Sequence, residues 1–405
     1  MQRITLTPRA DWQTKVESVG LTYHSPEMMA PRTYWDESAC YEFTNAEVDT
    51  LEAAANTMQE MCLAAAQHVI DNRRYAELEI PSDAIPVIEC AWNAEPPALY
   101  GRFDFSWAGA ESGQSPKLLE YNADTPTSLL EAAVVQWHWL EAVGESLPSK
   151  HSFLPFHTAK PDQFNSIHER LITKWKDIKP FLKSPVYFAG TDEFEDILTL
   201  AYLQDTAQQA GVSTQPIAML DIGWNEGRNS FVDLKEARID FIFKLYPWET
   251  MMAEQFGVHA LAVYRDMHWI EPIWKTLLSN KGILPILWEL YPNHANLLPA
   301  YFEANTADSH GMRDFVRKPL HSREGANITV VRNSVTTVST EGPYDGTRIL
   351  QALAPDAVFQ DSTNQPRYPI LGLWMIDQEC GGMGIRESSG PVTDNLSSFV
   401  PHYFR

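Results

Sequence analysis

Two short segments in the first third of the chain constrain its fold most strongly, because polar and aromatic side chains alternate along both. Residues 100–105 have the sequence YGRFDF, and residues 118–122 have the sequence LLEYN. The segment between them, residues 108–116, is rich in Gly, Ser and Pro, which is typical of a turn. The pattern therefore predicts a β-hairpin with strands at residues 99–107 and 117–122.

The polar residues of this hairpin are expected to share one face. Successive side chains of a strand point to opposite faces. Arg102 and Asp104 therefore lie on the same face of their strand, and Glu120 and Asn122 lie on the same face of theirs. Carboxylate and amide oxygens are ligands that Mg²⁺ prefers, and an arginine stabilises charge on a transferring phosphoryl group. The alternative is a solvated face with an Arg–Asp ion pair. Taken together, the four residues favour phosphoryl-transfer chemistry.

Two lysines lie in apolar surroundings further along the chain. Lys281 lies at the start of an apolar segment at 280–288, which we interpret as a buried strand, and Lys318 lies at the end of another strand. A buried ammonium group needs an anionic partner, which nucleotide phosphates would supply. The loop at residues 321–327 contains Gly325, and its backbone N–H groups could also contact phosphate. For each lysine alone, exposure at a strand end is the alternative.

A glycine-rich segment near the C-terminus ends in an arginine. Residues 380–386 have the sequence CGGMGIR. We interpret the glycines as positions where the backbone can approach a ligand closely, and Arg386 as a group that can bind a carboxylate or phosphate with two hydrogen bonds. A flexible turn without a ligand is the alternative.

The remaining pattern predicts a mixed α+β chain. A strand–helix–strand unit is expected at residues 184–220, with a helix at 193–210 that Gly211 ends. The other predicted helices are at residues 46–72, 128–142, 248–255 and 272–279, and the other predicted strands are at 239–245, 315–318, 328–333 and 370–376.

Composition limits the partners. The 53 acidic residues outnumber the 31 Lys and Arg, giving a formal net charge of -22. This charge opposes binding to nucleic acid or to anionic membranes and is compatible with a cationic amine substrate. No run of 18 apolar residues and no signal-like N-terminus occur, and the four Cys are expected to be buried thiols. We therefore expect a soluble cytoplasmic protein.

At this point the motifs resemble those of a known family. The synthetase domain of glutathionylspermidine synthase has similar motifs in the same order, from about residue 20 to the C-terminus. No counterpart of the amidase domain of the bifunctional members occurs among the 405 residues, so the chain resembles the stand-alone proteins described as acid–amine ligases. The motifs that carry the resemblance are RFDF at 102–105, EYNAD at 120–124, WET at 248–250, NK at 280–281, ILPILW at 283–288, KP at 318–319, Gly325 with NI at 327–328, and GG at 381–382 with Arg386.

The resemblance implies an α+β ATP-grasp fold that is circularly permuted, since the Glu-x-Asn motif precedes both lysines. It implies a helical and α/β pre-ATP-grasp-like region at residues 1–230, which carries the metal-binding hairpin 99–125. Residues 231–405 would form the nucleotide-clasping region, which residues 95–145 would join in space. The implied activity is ATP-dependent formation of an amide from a carboxylic acid and an amine, through an acyl phosphate, with release of ADP and phosphate.

The resemblance also implies roles for single residues. Arg102 matches the residue that stabilises the transferring phosphoryl group and contacts ATP. The implied ligands of two Mg²⁺ ions are Asp104, Glu120 and Asn122. The other implied ATP contacts are Lys281, Lys318 and Gly325. The implied substrate contacts are Thr125, Glu195, Asp196, Thr250 and Arg386.

The substrate positions depart from the family pattern. Thr125 and Thr127 stand where the spermidine enzymes have serines, and Glu195 with Asp196 replaces a pair of glutamates. We expect a peptide-like acid and a polyamine or amino-acid amine, with glutathione and spermidine as less favoured choices. Two other functions stay open, a non-catalytic or regulatory ATP-binding protein that retains the fold, and a kinase-like phosphotransferase.

Overall fold

The structure, a computed structural model, describes residues 1–147, 160–303 and 309–405. Its α-helices within these ranges are α1 (Trp12–Ser18), α2 (Asn45–Asp71), α3 (Ile85–Ala94), α4 (Gln136–Val143), α5 (Ile167–Ile178), α6 (Phe194–Gln209), α7 (Trp248–Ala253), α8 (Gly257–Ala262) and α9 (Ile283–Leu290).

The first ten strands in chain order are β1 (Gln2–Thr5), β2 (Ala39–Phe43), β3 (Tyr100–Ser106), β4 (Lys117–Asn122), β5 (Val186–Gly190), β6 (Thr214–Ala218), β7 (Gly223–Asn225), β8 (Ser230–Val232), β9 (Phe241–Leu245) and β10 (His268–Ile270). The strands that follow are β11 (Ala300–Phe302), β12 (Phe315–Pro319), β13 (Thr329–Arg332), β14 (Val335–Ser339), β15 (Arg348–Ala352), β16 (Phe359–Gln360), β17 (Pro366–Ile376), β18 (Glu379–Ser388), β19 (Ser398–Phe399) and β20 (His402–Phe404).

The predicted hairpin forms and lies in a six-stranded sheet. Its strand order is β19-β18-β17-β3-β4, and β16 pairs with β17. In β3 and β4, Arg102 lies opposite Asn122, and Asp104 lies opposite Glu120. The aromatic face is buried, with the rings of Phe103 and Tyr121 stacked at 3.8 Å. The polar side chains therefore point away from the core, as the alternation predicted.

A long helix covers the buried face of this sheet. The prediction of a helix at residues 46–72 is confirmed by α2, which begins after Thr44. The Thr44 side chain accepts a hydrogen bond from the Glu47 N–H, and the Glu47 carboxylate accepts one from the Thr44 N–H. This capping box stabilises the first turn of the helix. One face of α2 is apolar and buried, and the Tyr121 hydroxyl donates to Gln59 on it.

Two further sheets complete the architecture around the hairpin. One is a parallel four-stranded sheet in the order β10-β9-β5-β6, which contains the predicted strand–helix–strand unit. The other is an antiparallel five-stranded sheet in the order β11-β15-β12-β13-β14. Small sheets are formed by β1-β2-β20 and by β7-β8. Among the described residues, no helix has the length and apolar character needed to cross a bilayer.

Two predictions of local structure are wrong. The apolar segment after Lys281 is the helix α9 and not a strand. Its apolar residues follow one another without interruption, so hydrophobic periodicity does not distinguish a helix from a strand here. The glycines at 381–384 lie inside β18 and not in a turn. A Cβ at Gly382 would lie 2.9 Å from the Phe164 carbonyl oxygen, so this glycine allows close packing of the chain rather than of a ligand.

Helical segments also differ in type from the prediction. Residues 272–279 contain a 3₁₀ helix, Ile273–Leu277, instead of an α-helix. The helix predicted at 128–142 begins as a π-helical segment, Glu131–Val135, and continues as α4. Three of the four cysteines are buried as predicted, whereas Cys90 is partly exposed.

Candidate active site

One large cavity lies over the polar face of the hairpin, and the five-stranded sheet forms part of its wall. Its volume is about 900 Å³, which is within the range of small-molecule sites. Every site residue predicted from the sequence lines it, namely Arg102, Asp104, Glu120, Asn122, Thr125, Glu195, Asp196, Thr250, Lys281, Lys318, Gly325 and Arg386. The structure thus brings together residues that are almost 300 positions apart in the chain.

Arg102 is held flat against the sheet by several contacts. Its Nε and Nη2 atoms donate to the two oxygens of Asp104 at 2.6 and 2.9 Å, and its Nη1 atom donates to the Thr127 carbonyl at 2.8 Å. Gly372 of β17 makes this possible, because a Cβ there would lie 2.8 Å from Cδ of Arg102. The guanidinium also lies 5.6 Å from the Trp374 ring centroid. The cation is therefore fixed at the cavity wall before any ligand binds.

Asn122 lies between two carboxylates. Its Nδ2 atom donates to Asp104 Oδ2 and to Glu120 Oε1, at 3.2 Å in each case. A partially positive N–H₂ group thus occupies a position within reach of both carboxylates, where a cation would be stabilised. If the amide turned over, it would present its oxygen there, so the residues fit the hard oxygen ligands of Mg²⁺.

This candidate metal site differs from an acidic or histidine cluster. Within residues 1–147, 160–303 and 309–405, no group of three or more His, Cys, Asp or Glu side chains is arranged to hold a metal ion. The hairpin supplies two carboxylates and one amide instead. Remaining ligands of Mg²⁺ usually come from phosphate oxygens and water.

Both predicted lysines lie near the same carboxylate. Lys281 Nζ is 2.9 Å from Glu120 Oε2, and Lys318 Nζ donates to the Gln351 side chain at 2.8 Å and to the Leu119 carbonyl at 3.2 Å. Burial would raise the pKa of Glu120, but the Lys281 and Lys318 ammonium groups lower it to about 2. Burial lowers the pKa of Lys318 to about 8, against the attraction of Glu120. The cavity therefore holds a cationic end that a polyanion would stabilise.

Two hydroxyl groups follow the hairpin, and one contacts a cationic side chain while the other contacts an anionic one. The Thr125 hydroxyl accepts a hydrogen bond from Arg323 at 2.8 Å, while the Thr127 hydroxyl donates to Glu195 at 2.9 Å. Burial raises the pKa of Asp196, which accepts a hydrogen bond from the Thr191 hydroxyl at 2.7 Å. The acidic side of the cavity is thus formed by the first turn of α6.

Arg386 and Gly325 line the cavity beside residues 393 and 394. Arg386 donates to the Ser128 hydroxyl at 3.2 Å and to the Asp394 carbonyl at 2.9 Å. Gly325 has a φ of +71°, and a Cβ there would lie 2.6 Å from the Thr393 carbonyl oxygen. Only glycine fits this backbone without strain. Thr250 lies on α7 and lines the same cavity.

Sequence reasoning missed several charged residues near the cavity. Arg323 pairs with Glu249 at 2.7 Å. Lys244 pairs with Asp124 at 2.7 Å, and both side chains are fully buried. Lys244 lies within the apolar strand β9, so the signal that marked Lys281 and Lys318, a lysine in an apolar segment, was present for it too. Glu249 has no such apolar context, although it lies in the WET motif at 248–250 that carries the resemblance.

Residues 3–405 match the family model described as glutathionylspermidine synthase preATP-grasp. The chain belongs to this family. The resemblance found in the sequence motifs is therefore confirmed, and the mixed α+β fold is that of an ATP-grasp-related family.

Relatives within the glutathionylspermidine synthase family differ in length. A protein of Haemophilus influenzae with the provisional name acid–amine ligase is 38% identical over 100% of both chains. The trypanothione synthetase of Crithidia fasciculata is 28% identical, and the alignment covers 83% of this chain and 52% of that protein. The bifunctional glutathionylspermidine synthetase/amidase of Escherichia coli is 25% identical over 72% of this chain and 48% of its own length. The chain thus spans about half the length of the two synthetases.

Proposed function

We propose that this chain is an ATP-dependent carboxylate–amine ligase that forms an amide through an acyl phosphate. The observation that supports this best is the close arrangement of Arg102, two carboxylates and two lysine ammonium groups around the polar face of the hairpin. Membership of the family and the ligase and synthetase names of its relatives make the chain an enzyme that forms carbon–nitrogen bonds, as predicted.

The first step is transfer of the γ-phosphoryl group of ATP to the acid. A carboxylate oxygen attacks the γ-phosphorus, the bond to the β–γ bridging oxygen breaks, and ADP leaves. Asp104, Glu120 and Asn122 would hold Mg²⁺, which neutralises charge on the phosphates when it is bound. Arg102 stabilises the charge of the transferring group, and Lys281 and Lys318 bind the nucleotide phosphates.

The second step is attack of the amine on the acyl phosphate. The bound ammonium first loses one proton, because only the neutral amine is a nucleophile. The amine nitrogen then bonds to the acyl carbon, the bond from that carbon to the phosphate oxygen breaks, and the nitrogen loses a second proton. Glu195 and Asp196 bind the cationic amine before it reacts, while Thr125, Thr250 and Arg386 bind the acid. No side chain serves as a nucleophile, so positioning and charge neutralisation supply the catalysis.

The proposal includes the finer features that the resemblance implies. These are a circularly permuted ATP-grasp unit, two Mg²⁺ ions, and a division of the chain at about residue 230. The pairing of β3 with β17 supports a unit that combines residues 95–145 with the C-terminal half. The substrates proposed are a peptide-like acid and a polyamine or amino-acid amine, in keeping with the acidic α6 turn and the changed hydroxyl residues.

The test is a screen for phosphate release with ATP and Mg²⁺, in which peptides and amino acids are combined with polyamines and other amines. The proposal predicts ADP and phosphate only when an acid and an amine are both present. Phosphate transfer that needs a single acceptor would instead support a phosphotransferase. Tight binding of nucleotide without turnover across the whole panel would support a non-catalytic ATP-binding protein.

A further inference from the structure

The side chain of Arg323 attaches the loop of residues 320–327 to the substrate end of the cavity, which is the part lined by the proposed substrate contact Thr125. Arg323 donates from Nη1 to the Thr125 hydroxyl at 2.8 Å and from Nη2 to Glu249 Oε1 at 2.7 Å. Thr125 follows the hairpin, and Glu249 lies in the first turn of α7. One guanidinium therefore joins three separate segments of the chain.

The same loop is attached to the nucleotide end of the cavity, which is the part lined by the proposed ATP contacts Lys281 and Lys318. Lys281 donates from Nζ to the Ser322 carbonyl at 2.5 Å, and its backbone N–H donates to the Leu320 carbonyl at 2.9 Å. The Gly325 carbonyl accepts a hydrogen bond from the Thr340 hydroxyl at 2.5 Å. Two of the proposed ATP contacts, Lys281 and Gly325, thus belong to a network that ends at Arg323.

The chemistry of Arg323 suits a bridge between two acceptors. Its planar fork can donate to a hydroxyl and a carboxylate at the same time, which a lysine ammonium on a flexible stem does less well. Burial would raise the pKa of Glu249, but the Arg323 guanidinium lowers it, so the carboxylate stays ionised. Because the Thr125 hydroxyl accepts from Arg323, its own proton is directed to another acceptor. A substrate carboxylate in the cavity would be such an acceptor.

We propose that Arg323 is a positioning residue that fixes loop 320–327 to the hairpin and orients the Thr125 hydroxyl as a donor to the acid substrate. Through this contact, the nucleotide end and the substrate end of the cavity are coupled. The role in amide formation rests on the proposed function, whereas the attachment of the loop does not.

The first experiment measures amide hydrogen exchange of residues 320–327 without any ligand. We expect Arg323→Gln and Glu249→Gln each to speed exchange in this loop about tenfold or more, with Arg323→Lys between them and the wild type. Exchange in α2 and the melting temperature should stay as in the wild type. Arg317→Gln is the matched control, because Arg317 also pairs with a glutamate at 2.7 Å but does not line the cavity.

The second experiment repeats the measurement with Mg²⁺ and a non-hydrolysable ATP analogue. We expect the analogue to slow loop exchange in the wild type, and Arg323→Gln to bind it within about threefold of wild-type affinity but with less protection of the loop. Wild-type loop exchange in Arg323→Gln, with or without the analogue, would overturn the inference. If the wild type bound no nucleotide, the proposed function would fail, while the ligand-free comparison would still decide whether Arg323 holds the loop.

Discussion

Under the proposed function, removal of the Arg102 side chain should separate catalysis from nucleotide binding. Arg102→Ala should lower turnover by about 10³-fold or more, because the charge that develops on the phosphoryl group loses its fixed cation. Mg·ATP should still bind through Lys281, Lys318 and the hairpin carboxylates. Steady-state phosphate release and calorimetric titration measure the two properties. Near-normal activity on an identified acid–amine pair would contradict the role of Arg102.

The lowered pKa of Lys318 predicts a pH dependence of nucleotide binding. The free protein holds this ammonium with a pKa of about 8, whereas bound phosphates would favour the charged form and raise that pKa. Binding of Mg·ADP near pH 8 should therefore take up part of a proton, and affinity should fall between pH 8 and 9. Calorimetry in two buffers of different ionisation enthalpy measures the uptake.

Lys318→Arg provides the control for this pH effect. Arginine stays charged across this range, so the variant should bind Mg·ADP with no proton uptake near pH 8. The same shift has a consequence for folding. Between about pH 8 and 10.4 the unfolded chain holds the Lys318 proton and the folded chain does not, so stability should rise across this window. Uptake that persists in Lys318→Arg would exclude Lys318 as its source.

Single site residues were predictable from the sequence where polar and charged residues alternate regularly with apolar ones. Arg102, Asp104, Glu120 and Asn122 alternate with aromatic residues, so the shared face followed from strand geometry. The partners of Arg323 were not predictable in this way, because Glu249 is 74 positions away along the chain. Contacts of this kind depend on how α7 packs beside the hairpin, which no local pattern records.

At the scale of elements, the buried pair of Asp124 and Lys244 connects the end of β4 to β9. Asp124 also accepts a hydrogen bond from the Trp248 N–H at 3.0 Å, at the start of α7. Both side chains are fully buried, so removal of one partner leaves an uncompensated charge. Asp124→Leu and Lys244→Met should each lower the free energy of unfolding by about 3–5 kcal/mol. Urea denaturation measures this effect.

The double variant tests whether this loss comes from the unpaired charge. Asp124→Leu combined with Lys244→Met removes both charges. The double variant should therefore lose clearly less free energy of unfolding than the two single variants lose together. Strictly additive losses in the double-mutant cycle would show that the two groups act independently.

Elements were predictable where hydrophobic periodicity was clear. Apolar residues recur at strand spacing in the hairpin and at helical spacing in α2, and Thr44 and Glu47 mark the start of α2. The segment at α9 is apolar throughout and was assigned to a strand, while its helical state is set by burial on several sides. The glycines of β18 lie in a strand because neighbouring chain packs against them.

At the scale of the whole molecule, the cavity requires strands from distant parts of the chain. Leu373 of β17 pairs with Phe103 of β3, and no periodicity in either segment predicts that pairing. The family resemblance supplied the expectation that residues 95–145 join the C-terminal half. Sequence patterns therefore predicted which side chains line the cavity, and the resemblance predicted which parts of the chain come together.

Nucleotide binding should stabilise this arrangement as a unit. Mg·ADP at about 100 times its dissociation constant should add about 2.7 kcal/mol to the free energy of unfolding and raise the melting temperature. The shift should require Mg²⁺ and should shrink in Glu120→Gln, which lacks one charged ligand. A shift of equal size with ADP and a chelator would contradict the proposed metal site.

Isotope transfer tests the proposed chemistry most directly. The acid of an active acid–amine pair is labelled with ¹⁸O in its carboxylate, and the phosphate released with ATP and Mg²⁺ is analysed by mass spectrometry. An acyl phosphate route predicts one ¹⁸O atom in each phosphate formed together with an amide. Unlabelled phosphate, formed at the same rate without the amine, would contradict amide synthesis at this cavity.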